Sequence, residues 1–156
     1  MAELFKFWSH GVALVPQFSK PFTNTDNGLH MERADWGTKV SQDTNTSNWF
    51  HFPLTSGSTL DGDGAFINRA FFLAAINRDA AIRRIHVTMI DQSPLTQSPI
   101  LLVNDNVNFT NVDDRFNFSF RDTLLAGALV LSVYAEFARE TGEIIFKSAG
   151  ADTFES

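Results

Sequence analysis

The segment from Arg115 to Arg121 alternates strictly between polar and apolar side chains, and this alternation constrains the fold more than any other feature of the chain. Phe116, Phe118 and Phe120 fall on one face of an extended segment, because successive side chains of a β-strand point to opposite sides. The other face carries only polar and charged side chains. The pattern predicts a strand that buries one face and exposes the other.

The same alternation recurs in Ile82–Asp91 and Leu129–Ala138, which we therefore predict to be strands of the same kind. The predicted inward residues are Ile85, Val87 and Met89 in the first strand, and Leu129, Leu131, Val133, Ala135 and Phe137 in the second. The predicted outward residues are Arg84, His86 and Thr88 in the first, and Ser132, Tyr134 and Glu136 in the second.

Shorter apolar runs separated by polar loops fill the rest of the chain. Ala70–Ile76 is apolar on both faces and predicts a central strand, although Ala70–Ala81 is also compatible with a helix. Asn77–Asp79 and Glu140–Gly142 are predicted to be hairpin turns, with a positive φ at Gly142. Further predicted strands are Leu4–Trp8, Val12–Val15, Thr38–Gln42, Trp49–Leu54, Ile100–Val103 and Glu143–Lys147, and the predicted loops are Pro16–Trp36, Thr55–Gly64, Asp91–Pro99 and Asn104–Asp114.

About ten short strands with turn-rich connections predict an all-β fold, a two-layer antiparallel β-sandwich of jelly-roll type. An immunoglobulin-like sandwich is the alternative, but it has shorter connections and a Cys–Trp–Cys pattern that this chain lacks. We predict that residues 1–156 form a single domain, since this is the usual length of one.

The composition is dominated by phenylalanine, with sixteen Phe against one Tyr and no Cys. Phenylalanine supplies apolar area without a polar group to satisfy, so the composition favours a thick, dry core. The absence of cysteine excludes disulfides, thiolate metal sites and a cysteine nucleophile.

The formal net charge of −6, with twelve scattered Lys and Arg residues, argues against nucleic-acid binding. Such binding needs clustered cations that displace phosphate counterions. The longest apolar run, Ala126–Val133, is far shorter than the roughly 20 residues of a membrane span. The N-terminal residues do not resemble a signal peptide, so we expect no membrane partner and a cytoplasmic location by default.

Two segments place a tryptophan two residues before a histidine, Trp8 with His10 and Trp49 with His51. Residues two apart on a strand share a face, so adjacent strands would create an indole surface edged by imidazoles, which Trp36 could join. Indole rings suit the C–H faces of sugars, and imidazoles can bond to hydroxyl groups. The alternative is structural packing, because Trp is highly buried on average.

Acidic residues form two further candidate sites. Asp61 and Asp63 resemble the start of a calcium loop, but the later EF-hand ligand positions are apolar, so we expect turn formation and no cofactor, with a calcium site as the alternative. Asp105, Asp113 and Asp114 could be paired for glycoside hydrolysis, which needs two carboxyl groups at a set separation across a cleft. A hydrolase is therefore a minor alternative, and we predict no enzymatic activity.

Three short motifs run through the first third of the chain, Phe7–Gly11, Trp36–Thr38 and Asn48–His51, and a fourth, Ser148–Asp152, lies near the end. Together they resemble a family of short bacterial proteins of unknown function, which has similar Trp–His–Gly, Trp–Gly–Thr and Asn–Trp–Phe–His signatures before a β-rich half. The resemblance covers most of the chain. It implies a β-sandwich and brings no activity, substrate or catalytic residue.

Two functions of different class follow. The first is a binding module that recognises carbohydrate or another small ligand through Trp8, His10, Trp36, Trp49 and His51. The second is a structural protein that self-associates into an oligomer, lattice or tube, because Phe-rich faces that exceed the needs of one core would leave an apolar patch on the surface.

Overall fold

The structure is a computed structural model that describes residues 3–18, 26–54, 59–60, 63–91, 99–125 and 127–155. Within these residues it contains twelve strands and one short 3-10 turn at Gly11–Ala13. Every strand pair is antiparallel. The predicted all-β class is confirmed, and Ala70–Ile76 is strand rather than helix.

The strands form a seven-stranded and a five-stranded sheet in the described part of the chain. The first contains β1 (Glu3–His10), β3 (His30–Ala34), β4 (Gly37–Ser41), β6 (Thr59–Leu60), β7 (Asp63–Ile76), β10 (Val112–Leu124) and β12 (Ile144–Glu155). The second contains β2 (Val15–Pro16), β5 (Thr46–Leu54), β8 (Ala80–Asp91), β9 (Ile100–Phe109) and β11 (Gly127–Phe137).

Strand order identifies the topology. The seven-stranded sheet runs β10–β7–β12–β4–β3, with β1 also paired to β12 and β6 to the start of β7. The five-stranded sheet runs β2–β5–β11–β8–β9. Apart from β3–β4, β6–β7 and β8–β9, the hydrogen-bonded neighbours are distant along the chain, and the chain repeatedly crosses from one sheet to the other. This is the predicted jelly-roll sandwich.

The core lies between the sheets and follows the predicted alternation. All five residues predicted inward in β11, and all three in β8, are buried. Phenylalanine rings join the layers: Phe146 of β12 lies 5.5 Å from Phe50 and 5.8 Å from Phe52 of β5, between ring centroids. Phe18 is the one exposed phenylalanine among those whose burial is described. The Phe-rich surface patch is thus absent from these residues, and self-association stays a prediction.

Both predicted hairpin turns are wrong. Asn77–Asp79 joins β7 to β8 and residues 138–143 join β11 to β12, so each connection crosses between sheets instead of pairing adjacent strands. Gly142 does not have a positive φ. A Cβ there would lie 2.5 Å from the carbonyl oxygen of Asp79, so the glycine permits close approach of two crossing connections.

Three local predictions also differ from the structure. In the predicted strand Val12–Val15, Val12 and Ala13 belong to the 3-10 turn and Val15 begins β2. His10 caps the turn by accepting a hydrogen bond from the backbone of Val12. The predicted loop Asn104–Asp114 is largely strand, the end of β9 and the start of β10. The predicted loop Pro16–Trp36 contains β3. In the last two cases polar outward positions of edge strands imitate loop composition.

Asn77 lies at the end of the sandwich where the connections β7–β8, β9–β10 and β11–β12 cross from one sheet to the other. Its side-chain oxygen accepts hydrogen bonds from the backbones of Asp79 (3.1 Å) and Glu143 (3.0 Å), and its side-chain nitrogen donates to the carbonyl of Thr141 (2.8 Å). Its backbone donates to Glu143 and accepts from Asn111. One residue therefore connects the crossings β7–β8, β9–β10 and β11–β12.

Replacing Asn77 by Ala should lower the free energy of unfolding by about 1–3 kcal/mol, because two backbone donors and one acceptor lose their partner. Urea unfolding followed by fluorescence measures the change. Asn106→Ala is the control, since Asn106 is exposed on β9, and it should change stability by less than about 0.5 kcal/mol. Equal stability of the two variants would contradict the role given to Asn77.

Candidate functional site

The outer face of the five-stranded sheet carries the aromatic residues of β5. Phe50 and Phe52 point inward and are fully buried, so Trp49 and His51 point outward. The neighbouring Asn48 is buried and ties the backbone of Phe18, which follows β2, to strand β5. Its side chain bonds to both the N–H (3.0 Å) and the carbonyl (2.7 Å) of Phe18.

Trp49 lies in a cluster of three rings, which we call the aromatic platform: Trp49 of β5, Tyr134 of β11 and His86 of β8. The ring centroid of Trp49 is 5.2 Å from that of Tyr134 and 4.7 Å from that of His86. Strand β11 lies between β5 and β8, and its residue Ser132 is paired with His51 of β5 on one side and with His86 of β8 on the other. Because serine is small, the indole can reach the imidazole across the intervening strand.

Polar side chains surround the platform and fix its two imidazoles. His51 Nε2 donates to Gln17 Oε1 at 3.1 Å, since an amide oxygen can only accept, and His51 Nδ1 then accepts from the Ser132 hydroxyl at 2.7 Å. The side-chain oxygen of Asn104 accepts from both His86 Nε2 (3.0 Å) and Arg84 Nε (2.9 Å). The platform is thus bordered by oriented hydrogen-bonding groups.

Burial keeps both imidazoles uncharged near neutral pH. Desolvation lowers the pKa of His51 below 6.5. Desolvation is also the largest cause that lowers the pKa of His86, with a smaller lowering by the Arg84 charge and an opposing effect of the hydrogen bond to Asn104. Neutral imidazole can both donate and accept hydrogen bonds, which suits a ligand rich in hydroxyl groups.

A cleft of about 440 Å³ adjoins the platform at Tyr134. Ser47, Arg83 and Glu136 contribute to its lining, and Arg83 Nε lies 3.1 Å from Glu136 Oε2. Along the strands, the outer face of the five-stranded sheet therefore changes from the aromatic platform to a polar cleft. The cleft extends to the connection between β7 and β8.

The five residues predicted to bind ligand do not form one surface. Trp8 lies on the seven-stranded sheet, because β1 pairs with β12 and not with β5. His10 Nε2 bonds to the carbonyl of Asp35 at 2.8 Å, in the turn that carries Trp36. Only Trp49 and His51 lie together. The predicted single indole surface is wrong, because strand neighbours in a jelly roll are remote in sequence.

The motifs around His10 and Trp36 have a packing explanation. A Cβ at Gly11 would lie 2.0 Å from the carbonyl oxygen of Phe146, and one at Gly37, whose φ is +132°, would lie 2.3 Å from the same oxygen. Thr38 Oγ1 donates to the carbonyl of Gly11 at 2.7 Å. The two glycines therefore allow the 3-10 turn to sit directly on β4 and β12.

The acidic candidates are not gathered into a site within the described residues. Asp61 lies outside the described residues, and so does the side chain of Asp63. No group of three or more potential metal-binding side chains occurs in the part of the chain that is described. Asp113 pairs with Lys147 on the seven-stranded sheet, whereas Asp105 lies on β9 of the other sheet.

The platform and border residues that were not singled out from the sequence include Tyr134, His86, Arg84 and Asn104. A signal existed for the first three, because all were predicted to point outward from strands with buried inner faces. Tyr134 is also the chain's single tyrosine. Asn104 gave no such signal, because its segment was predicted to be a loop.

Comparisons with known proteins place the fold among solved β-sandwiches. A family 11 carbohydrate-binding module from Clostridium thermocellum, in complex with a β-1,3-1,4-mixed-linked tetrasaccharide, aligns with TM-score 0.53 and 8% identity over 94% of each chain. The glycosylation-associated protein complex of Streptococcus agalactiae gives TM-score 0.53 and 9% identity over 97% of this chain and 26% of that one.

A third similar structure contains the CBM22-1–GH10 modules of endo-1,4-β-D-xylanase 10B from Clostridium thermocellum, complexed with xylohexaose. It aligns with TM-score 0.50 and 12% identity over 99% of this chain and 29% of that chain. The present chain thus spans less than a third of two of these three proteins. At such identities the likeness shows the fold alone.

No protein-family model and no curated protein matches the chain. None of the helical structure in the described residues is long and apolar enough to cross a membrane.

The lowered pKa of His51 predicts a loss of stability in acid. The unfolded chain takes up a proton near pH 6.5 and the folded chain only at lower pH, so unfolding becomes easier as pH falls below 6.5. Above that value both states are neutral and the effect vanishes. NMR titration should give a His51 midpoint below 6.5, and His51→Gln should reduce the acid sensitivity of urea unfolding. A midpoint above 6.5 would contradict the burial of the imidazole.

Proposed function

We propose that this protein is a non-catalytic β-sandwich module that binds carbohydrate on the outer face of its five-stranded sheet. The observation that carries the proposal is the grouping of Trp49 with Tyr134 and His86 on that face. An indole on a polar sheet face, only partly buried and next to hydrogen-bonding groups, matches the mixed chemistry of a sugar.

A pyranose ring has apolar C–H faces and a rim of hydroxyl groups. The rings of Trp49 and Tyr134 offer flat apolar area with little conformational entropy to lose on binding. Asn104 is exposed next to His86, and its side-chain amide can exchange hydrogen bonds with hydroxyl groups, whereas the buried Ser132 orients His51 from beneath. Because His51 bonds to Ser132 and Asn104 bonds to His86, these side chains are held in place before a ligand arrives.

The register of the sheet favours an oligosaccharide over a single sugar. Two parallel rows of directly opposed, outward-facing residues run across the four strands β5, β11, β8 and β9. Four strands span about 14 Å at the usual separation. The first row is Trp49, Tyr134, Arg84 and Asn106, and the second is His51, Ser132, His86 and Asn104. A chain laid across the strands would meet aromatic rings at one end and amides at the other.

The fold comparisons support this proposal. Two of the similar structures are described as containing carbohydrate-binding modules and were solved with a tetrasaccharide and with xylohexaose. A jelly-roll sandwich is therefore a scaffold on which such binding occurs, although fold alone does not assign function. The aromatic platform supplies the site-specific argument.

Trp49→Ala should reduce affinity for the ligand at least about tenfold, because the central stacking surface disappears. A glycan array finds the ligand, and affinity electrophoresis in the matching polysaccharide compares the variants. Trp36→Ala is the matched control, since Trp36 is 42% exposed but lies in a turn of the other sheet. If a folded Trp49→Ala protein bound every ligand as well as the control does, the platform would not be the site.

A further inference from the structure

The outer face of the seven-stranded sheet carries a second exposed indole. Trp8 is 50% exposed and lies on the face opposite to the aromatic platform. A ligand that stacks on Trp49 cannot reach Trp8 through the core of the sandwich. The exposure of Trp8 therefore needs its own explanation.

Trp8 rests on a phenylalanine that faces outward yet is fully buried. Gly150 of β12 pairs with Trp8 on one side and with Phe71 of β7 on the other. Because the glycine has no side chain, the two rings meet across the strand, with centroids 4.5 Å apart in an edge-to-face arrangement. Phe71 has no exposed surface, so it fixes the indole from one side while half of Trp8 stays accessible.

Arg115 of β10 completes this arrangement with a stacked cation. Its guanidinium carbon lies 4.1 Å from the ring centroid of Phe71 and 5.5 Å from that of Trp8. Its Nε donates to the side-chain oxygen of Asn117 at 3.0 Å. The guanidinium is thereby held over the rings of Phe71 and Trp8, next to the exposed part of the indole.

No carboxylate pairs with the Arg115 side chain among the described residues, in contrast to Lys147 and Arg69 on the same face. Lys147 pairs with Asp113, and Arg69 pairs with the buried Asp152. A fixed guanidinium with unused N–H groups favours a carboxylate, which it can bind through two parallel hydrogen bonds. The Arg115 side chain therefore complements an acidic ligand.

The surroundings of Trp8 restrict what that acidic ligand can be. A second protein copy would need a broad apolar area, whereas the side chains that contact Trp8 are the buried Phe71 and the charged Arg115, and the apolar Leu73 opposite Arg115 is only partly exposed. A nucleic acid would need several unpaired cations, and the chain carries a net charge of −6. An indole beside one guanidinium matches a sugar ring that bears one carboxylate.

We propose that Trp8 and Arg115 form a second carbohydrate site that takes an acidic sugar, with the pyranose ring stacked on Trp8 and its carboxylate bound by Arg115. This site goes beyond the proposed function and does not depend on the ligand of the aromatic platform. The two sites face away from each other, so one molecule could hold two glycan chains.

Isothermal titration with short oligouronates, and with the same oligosaccharides after reduction of their carboxyl groups, tests the proposal. The native protein should bind an oligouronate at least about tenfold more tightly than its reduced counterpart, because the reduced sugar cannot pair with Arg115. Trp8→Ala and Arg115→Gln should each weaken oligouronate binding about tenfold or more. Arg115→Lys should recover only part of the loss, since lysine lacks the planar fork.

Trp49→Ala separates this site from the platform, because it should leave oligouronate binding unchanged. Circular dichroism confirms that each variant is folded, and Arg115→Gln serves alone if Trp8→Ala fails to fold. The proposal is overturned if no oligouronate binds, if the reduced sugar binds equally well, or if Trp49→Ala rather than Arg115→Gln abolishes binding. If Trp49→Ala loses binding of neutral glycans, that result supports the proposed function of the aromatic platform and does not concern the site at Trp8 and Arg115.

Discussion

Strand register is the constraint on which both faces of this sandwich depend. A slip of one residue would turn every inward side chain of a strand outward, so Trp49 would exchange places with the buried Phe50. Facing phenylalanines resist such a slip from within the core. At one end of the sandwich, Asn77 resists it by bonding to three of the connections between the sheets. The positions of the exposed rings are therefore consequences of how the core and the crossings are fixed.

The aromatic platform is built from side chains of three neighbouring strands, β5, β11 and β8. Ser132 leaves room for the indole of Trp49 to approach His86, and it also orients His51. Partial burial keeps the two imidazoles neutral, so both can donate and accept hydrogen bonds at physiological pH. The nearby carboxylate of Glu136 pairs with an arginine. Such an arrangement fits the proposed binding of a polar, ring-shaped ligand.

The sequence predicted the sandwich and its core because alternation is a local signal. The inner faces of β8, β10 and β11 could be assigned residue by residue. The second half of β9 was missed because Asn104, Asn106 and Asn108 are typical of loops, although they occupy alternate outward positions. The shared face of Trp49 and His51 was also predictable. The partnership with the platform residues of β8 and β11 was not, because jelly-roll pairing is set by long-range contacts.

The three tryptophans of this chain give a direct test of the central claim, that the outer face of the five-stranded sheet binds carbohydrate. Each indole N–H has its own NMR resonance, which can be assigned by replacing one tryptophan at a time. Titration with a neutral oligosaccharide found by glycan screening should shift the Trp49 resonance and leave that of Trp36 in place. A bound oligosaccharide that leaves the Trp49 resonance unmoved would contradict the account.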